Sequence, residues 1–311
     1  MKINPLLAVG FAVVCVSFSS IFVRFATAPA LVIAAYRMLF SFLILLPFTL
    51  ILKRKELFKV RKKDLKLALL SGLFLALHFI TWIKSLDYTS VASSTVLVTT
   101  EPVFVAFGSY FLFKEKLSKR AALGGILAFI GSITIGLGDF KVGGIALIGD
   151  ILALAGAVFV SGYMLCGREL RQRLDLLTYT FLVYGSSTLI LFLFCFVFKT
   201  SLYPYPTGDY LAFLGLALVC TIFGHTIFNW ALRYVQATIV SMSILFEPVG
   251  STILAAFLLR EYPTFPQVIG GLIIIVGLSV FTVFQAKEEK QVDIPIKVES
   301  DEKKQGITMW K

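Results

Sequence analysis

T-T-E-P-V-F, at residues 99–104, and L-F-E-P-V-G, at residues 245–250, are two versions of one short sequence, separated by 146 residues. Each places a glutamate and a proline in the middle of a long apolar run. Outward from this dipeptide, residues 82–137 align with residues 228–283 at the same shift and without a gap. The chain therefore contains a duplicated unit, and its fold has to accommodate two buried Glu-Pro steps.

Several positions are identical in the two copies. They are Leu86 and Leu232, Tyr88 and Tyr234, Glu101 and Glu247, Pro102 and Pro248, Glu115 and Glu261, Gly124 and Gly270, Gly125 and Gly271, and Gly131 and Gly277. The glycines would make the fifth and last helices narrow on one side. Small residues let helix backbones approach closely in lipid, so these faces predict helix packing and leave a homodimer open.

The composition is that of an integral membrane protein. Of the 311 residues, 58% are hydrophobic and only 15% charged, far from the usual soluble proportions. Period-two alternation is absent, which argues against a transmembrane barrel. Runs of about 20 apolar residues, each long enough to cross about 30 Å of hydrocarbon as a helix, predict ten spans: 5–26, 29–52, 67–86, 91–113, 119–138, 143–166, 176–198, 209–232, 237–259 and 264–284.

Basic residues lie mostly on one side of this predicted topology. Of 29 Lys and Arg, 23 fall in the termini and in the loops after the even-numbered spans, including eight at positions 53–66. The positive-inside rule places these segments, and both termini, in the cytoplasm. The net charge of +11 thus results from the basic loops on the cytoplasmic side, and no nucleic-acid partner is expected.

Five spans per copy is an odd number, so the second copy has to cross the lipid bilayer in the opposite direction. We therefore predict an all-α integral membrane protein with ten transmembrane helices in two inverted five-helix repeats, the architecture of many secondary transporters. The predicted divisions are 1–140, 141–286, and a mobile cytoplasmic tail at 287–311.

Glu101 and Glu247 are the sharpest functional signal. A charge at mid-bilayer costs about 2.5 to 3.5 kcal/mol on insertion scales, so each needs a partner, a proton or water. The proline that follows removes an amide and favours a bend at that depth. Broken helices at the midplane are where transporters bind substrate. The alternative is that each glutamate only brackets two helices.

Other polar residues inside the spans are candidate substrate-binding positions. His78 shares a helix face with Trp82, and His225 shares one with Asn229. Each histidine could instead make a helix–helix hydrogen bond. Arg37 is a candidate counter-charge for a buried glutamate or a substrate anion.

Arg24, near the end of the first span, is expected to reach the surface or pair locally. Cysteines 15, 166, 195 and 220 lie in apolar runs without metal-ligand spacing, so neither disulfides nor a metal are predicted. Phosphate-loop, zinc-hydrolase and nucleophile-elbow motifs are also absent from the sequence. No cofactor and no enzymatic activity are expected.

The chain resembles the drug/metabolite transporter superfamily, specifically its EamA-like ten-helix members. The resemblance covers residues 5–284 and rests on L-D-Y-T-S-V-A-S-S-T, E-P-V-F and F-L-F-K-E-K-L-S with G-G in the first repeat. The second repeat has L-R-Y-V-Q-A-T-I-V-S, E-P-V-G and F-L-L-R-E-Y-P with G-G. Arg37 fits the family's Ala-x-Arg opening of the second helix. Glu101 departs from the family pattern, which more often has an uncharged residue before the proline, and this favours a role for Glu101 in the specificity of this particular protein.

This resemblance implies a carrier of the plasma membrane with a central cavity lined mainly by the third, fourth, eighth and ninth helices. Members move amino acids, aromatic metabolites, drugs, nucleotide-linked cofactors or sugars. We expect an exporter of amino acids or related small metabolites that works by alternating access, with proton coupling open. The alternatives are an uptake or exchange carrier for a charged nucleoside-type metabolite, and a non-transporting membrane scaffold or receptor.

Overall fold

A computed structural model describes residues 4–114, 119–142, 144–231 and 243–292. These residues form helices and no strand. The helices are α1 Pro5–Ser17, α2 Ser19–Phe25, α3 Ala30–Leu52, α4 Arg54–Leu57, α5 Lys62–Ser85, α6 Val91–Val98, α7 Glu101–Phe113, α8 Lys119–Val142, α9 Ile145–Arg171, α10 Leu176–Val197, α11 Thr207–Gly215, a π-helical segment Leu216–His225, α12 Thr226–Ala231, α13 Glu247–Leu258 and α14 Phe265–Val292.

The all-helical membrane fold predicted from the sequence is confirmed. Within the described ranges, nine helical stretches are long and apolar enough to cross a membrane, and the shorter apolar helix α13 belongs to the predicted ninth span. Three of these nine stretches are not single α-helices, since α1 with α2, α6 with α7, and α11 through α12 each form one crossing. Helix α14 continues to Val292, eight residues past the predicted end of the last span at 284.

Some predicted features fall outside the described residues. They are Glu115, Leu232, Tyr234, the start of the ninth span at 237–242, and the tail from 293 to 311.

Helix ends follow local chemistry. The Ser90 hydroxyl accepts a hydrogen bond from the Ser93 amide at the start of α6, and the Asp175 carboxylate accepts from two amides at the start of α10. Such caps satisfy amides that have no partner inside the helix. Lys114 and Arg260, which are equivalent in the two repeats, adopt left-handed φ values of 59° and 56° after α7 and α13. The duplication is thus visible in backbone conformation as well as in sequence.

Helices α8 and α14, the equivalent fifth helices of the repeats, cross each other through glycine. A Cβ placed on Gly124 would lie 2.5 Å from the carbonyl oxygen of Gly277, and one on Gly131 would lie 2.6 Å from that of Gly270. As the position rises from 124 to 131 in α8, its partner falls from 277 to 270 in α14, so the two helices run antiparallel. Equivalent helices of opposite direction show that the repeats are inverted.

The helix contacts obey the same two-fold relation. Helix α5 packs on α9, and correspondingly the π-helical segment packs on α1. Helix α7 packs on α9 as α13 packs on α1, and α3 packs on α10, its own repeat equivalent. The predicted packing role of the glycines is filled inside one chain by α8 and α14. The predicted homodimer stays a prediction.

The polar and aromatic core lies between the repeats, and the outer surface is apolar. Fully buried side chains include Met38, Phe79 and Tyr184, whereas Phe129 on α8 and Phe196 on α10 are mostly exposed. Large exposed apolar side chains are costly in water but suit contact with lipid acyl chains. The arrangement therefore directs polar side chains away from lipid and toward the interior.

Candidate functional site

The fourth span breaks immediately before Glu101. Helix α6 ends at Val98, Thr99 and Thr100 form a turn, and α7 begins at Glu101. Proline at 102 has no amide to donate to Val98 but fits the first turn of a helix, where amides need no intrahelical partner. The Thr99 hydroxyl donates to the Val96 carbonyl (2.9 Å), and that of Thr100 donates to the Leu97 carbonyl (2.7 Å). The broken span thus satisfies part of its own freed backbone.

The ninth span repeats this geometry 146 residues later. Leu245 and Phe246 form the turn, and α13 begins at Glu247 with Pro248 in its first turn. The Phe246 amide donates to the Ser243 carbonyl (3.1 Å), as the equivalent Thr100 amide donates to the Leu97 carbonyl (3.2 Å). Both glutamates therefore stand at the N-terminal end of a half-helix, where the helix dipole favours negative charge.

Glu101 and Glu247, one from each repeat, lie within electrostatic range of each other. Glu101 lies halfway along the span Val91–Leu112 and is 9% exposed, while Glu247 is partly buried. Glu101 and Glu247 are close enough to interact electrostatically, and Glu247 interacts in the same way with the fully buried Arg37. Neither carboxylate has a salt-bridge partner within 4.0 Å among the described residues. They face a shared interior region instead of lipid.

Arg37 connects three helices at this depth. Its side chain is fully buried, with Nε donating to Thr221 Oγ1 (3.0 Å) and Nη1 donating to Ser19 Oγ (3.1 Å). The guanidinium carbon lies 4.1 Å from the ring centroid of Phe79, a cation–π distance. Within the described part of the chain, Nη2 is buried without a hydrogen-bond partner. Arg37 thus keeps one nitrogen whose hydrogen-bonding capacity no described residue uses.

His78 and Trp82 form an aromatic wall on α5. Their rings are stacked with 6.4 Å between centroids, and His78 Nδ1 lies 2.9 Å from the Gly156 carbonyl oxygen on α9. A carbonyl only accepts, so Nδ1 carries the proton and Nε2 of a neutral ring is an acceptor. The helix–helix hydrogen bond that we kept as an alternative role for His78 is present. Trp82 is 4% exposed, and its buried indole N–H has no partner among the described residues.

The eighth span brings residues of the second repeat to the same place. His225 ends the π-helical segment, is partly buried, and interacts electrostatically with Arg37 and His78. Asn229, one turn later in α12, is partly buried and interacts with the Tyr163 hydroxyl. The second repeat therefore adds a histidine and an amide to the group around Arg37.

The π-helical segment is a feature that the sequence analysis missed. The Thr221 hydroxyl donates to the Leu216 carbonyl (3.0 Å), and the Thr226 hydroxyl donates to the Thr221 carbonyl (3.1 Å). Both bonds reach back five residues because the backbone coil is wider than in an α-helix. Two threonines five residues apart only weakly predict a π-helix. Short π-helical stretches recur at functional sites.

Arg24 is separate from this central group. Its Nη2 lies 3.3 Å from the Glu261 carboxylate and donates to the Thr89 carbonyl (3.0 Å), and the other Glu261 oxygen accepts from the Val91 amide (2.5 Å). Arg24 therefore pairs locally, which is one of the two roles predicted for it. These contacts join the first span to the loops before the fourth and tenth spans, at the face opposite the basic loop 53–66.

Five of the seven predicted substrate-binding residues interact electrostatically as one group. They are Arg37, His78, Glu101, His225 and Glu247. Trp82 joins it by stacking on His78, and Asn229 lies one helical turn from His225. The sequence analysis did not identify Ser19, Tyr163 or Thr221 as neighbours of these groups. A mid-membrane cluster of two acids, one guanidinium and aromatic walls can bind a small molecule with both an amine and an acceptor group.

Comparison with known proteins agrees with this architecture. The EamA-like transporter family matches residues 4–137 and again residues 147–283. The chain is 27% identical over 208 residues to an uncharacterized transporter of Archaeoglobus fulgidus, covering 65% of this chain and 70% of that protein. It is 25% identical over 238 residues to the uncharacterized transporter YoaV of Bacillus subtilis, covering 75% and 80%.

A crystal structure of another protein superposes on this chain with a TM-score of 0.65 at 19% sequence identity, covering 92% of this chain and 98% of the other. At that identity the likeness concerns the fold alone. The family model, however, matches twice, once on each of the two inverted repeats. The two related proteins are named as transporters, and the alignments cover most of their length. This chain therefore belongs to the EamA-like transporter family of the drug/metabolite transporter superfamily and is a multi-pass membrane transporter.

Proposed function

We propose that this protein is a secondary carrier that exports amino acids or related small metabolites by alternating access between its two inverted repeats. The observation that carries the proposal is the meeting of Glu101 and Glu247, at the broken midpoints of equivalent spans, with no ion-pair partner among the described residues. A carboxylate held at mid-depth without an ion pair needs a cation, a proton or water. A substrate ammonium group would supply the cation.

The opposite end of such a substrate has matching donors. Arg37 Nη2 and the Trp82 indole N–H are both buried and lack partners among the described residues. A buried donor left unpaired costs about 1 to 3 kcal/mol, which a substrate carboxylate would recover. An α-amino acid carries both groups on one carbon. We propose Glu101 and Glu247 as the amine site, Arg37 as the carboxylate site, and His78, Trp82, His225 and Asn229 as the walls.

The alternatives fit less well. A scaffold predicts a dry centre in which arginine neutralises both glutamates, and the described residues form no such pairs. A carrier of charged nucleoside-type metabolites would draw on Arg24 as well as Arg37. Arg24 is instead held by Glu261 and the Thr89 carbonyl. One remaining buried guanidinium suits a single carboxylate better than a phosphate with two negative charges.

We propose further that the protein lies in the plasma membrane with both termini in the cytoplasm, as its basic loops indicate. The Arg24–Glu261 contacts then close the outer side, which is the state from which an exporter takes up substrate from the cell. We also propose that Glu101 and Glu247 exchange protons during the cycle, so that a proton gradient drives export.

The proposal is tested by efflux from proteoliposomes loaded with all twenty amino acids and, in parallel vesicles, with nucleoside monophosphates. We expect one group of amino acids to leave faster than from protein-free vesicles, and faster still when a pH gradient is imposed. Efflux of nucleotides without amino acids would favour the exchange carrier. Efflux of neither class would contradict the proposal.

A further inference from the structure

The loop between α3 and α5 carries more positive charge than topology alone requires. Residues 53–66 contain eight Lys and Arg, against four in K-E-K-L-S-K-R and three in G-R-E-L-R-Q-R-L-D on the same face. Two of the eight are paired, Lys53 with Glu56 and Asp175, and Arg61 with Asp64. The other six are exposed and form no ion pair with a described residue: Arg54, Lys55, Lys59, Lys62, Lys63 and Lys66.

This charged loop adjoins exposed apolar side chains at the end of a membrane span. Ile51 and Leu52, at the end of α3, are 79% and 67% exposed. Phe58 projects from the middle of the loop itself with 82% of its surface exposed. A phenylalanine in that position costs free energy in water and gains it at the boundary between headgroups and acyl chains. The positive-inside rule explains the lysines but not the exposed ring.

We propose that the loop 53–66 is a binding surface for the headgroups of anionic phospholipids. The six unpaired cations attract the phosphates, and Phe58 inserts beside the chains of the same lipids. Lys59 also lines a recess of about 450 Å³, in which Arg61 and Arg173 are both paired with Asp64. Clusters of four to eight basic residues next to a transmembrane helix have this property in general.

The test is retention of lipid by the full-length protein. The purified, delipidated carrier is mixed with phosphatidylglycerol and phosphatidylcholine of identical chains, and the bound lipids are counted by native mass spectrometry. We expect phosphatidylglycerol to be retained preferentially and the preference to shrink in high salt. The quadruple variant K55Q/K59Q/K62Q/K63Q should lower that preference at least tenfold. A basic residue close to the membrane surface contributes up to about fivefold, so even a partial contribution from each of the four lysines exceeds this threshold.

Three controls separate this surface from general charge and from misfolding. The tail variant K297Q/K303Q/K304Q/K311Q loses the same number of charges and should behave as wild type. Replacing the four loop lysines by arginine should also preserve the preference. F58S keeps every charge, hence the insertion topology, and should weaken retention while leaving its salt dependence in place.

Two results with lipid alone would overturn the proposal, and two results with competitors would do the same. One is equal retention of phosphatidylglycerol and phosphatidylcholine by the wild-type protein. The other is an unchanged preference in the loop K→Q variant. Competition by soluble glycerol phosphate as strong as that by the lipid would show a site for free phosphate, and displacement of lipid by an acidic peptide would show a protein-docking surface; either would also count against it.

Discussion

Arg37 is a charge held entirely inside a membrane protein, and its surroundings explain how the fold tolerates it. Two nitrogens are hydrogen-bonded, to Thr221 and Ser19, and the Phe79 ring faces the guanidinium group. These contacts come from three different helices, so the arginine both depends on the tertiary structure and holds it together. Its third nitrogen contributes nothing to that role in the described chain, which is why we assign it to substrate.

The same reasoning separates Trp82 from its neighbour His78. Trp82→Phe removes an N–H that has no described partner and leaves a small cavity, so the free energy of unfolding should fall by about 1 kcal/mol, from lost packing alone. Substrate binding should weaken about fivefold or more, because the donor to the substrate is lost. Thermal unfolding and equilibrium binding, measured on the same preparation, check the two effects independently.

His78→Phe is the matched comparison and should lose more stability than Trp82→Phe. It breaks the hydrogen bond to the Gly156 carbonyl between α5 and α9, leaving that oxygen buried, at a cost of about 1 to 3 kcal/mol. If Trp82→Phe proved as destabilising as His78→Phe, the indole N–H would have a structural partner and its assignment to substrate would be wrong.

At the scale of single elements, the important departures from regular helix are the two Glu-Pro breaks and the π-helical segment. The breaks could be predicted, because proline removes one specific hydrogen bond wherever it stands in a helix. The π-helical segment could not be, since Thr221 and Thr226 fit an ordinary α-helix equally well. Nor could the partners of Arg37, because Ser19 and Thr221 become neighbours only when the first, second and eighth spans pack together.

Pro102→Ala tests whether the break matters for transport. Alanine supplies an amide that can bond to the Val98 carbonyl, so α6 and α7 can join into one continuous helix. Stability should stay the same or rise, while substrate flux should fall at least tenfold because Glu101 is moved from its place opposite Glu247. Full flux in a variant that is at least as stable would show that the break has no role in transport.

The glycine crossing of α8 and α14 gives a prediction about stability. In Gly131→Ala the new Cβ would lie 2.6 Å from the Gly270 carbonyl and 2.9 Å from the Ile274 amide nitrogen, both backbone atoms. The helices have to separate, at a cost of about 1 to 3 kcal/mol. Gly10→Ala is the control, since nothing lies within 4 Å of a Cβ there, and it should be neutral or stabilising. Similar melting temperatures for the two variants would contradict the close crossing.

At the scale of the whole molecule, the two repeats are joined at one face by Arg24, Glu261, the Thr89 carbonyl and the Val91 amide. Alternating access requires these contacts to open once per cycle. A reversible thiol cross-linker joining Arg24→Cys to Glu261→Cys should therefore stop transport, and reduction should restore it. Each single cysteine variant, treated in the same way, is the control. Continued transport by the cross-linked protein would mean that this face does not open.

The central claim is that Glu101 and Glu247, one from each inverted repeat, together form the substrate site at mid-membrane. It is tested most directly by measuring binding and proteoliposome flux of the transported substrate in Glu101→Gln, Glu247→Gln and the exposed-surface control Glu56→Gln. The account predicts that each central variant melts within a few degrees of wild type yet loses at least tenfold in both binding and flux, with the control unchanged. Wild-type binding and flux in either folded central variant would contradict it.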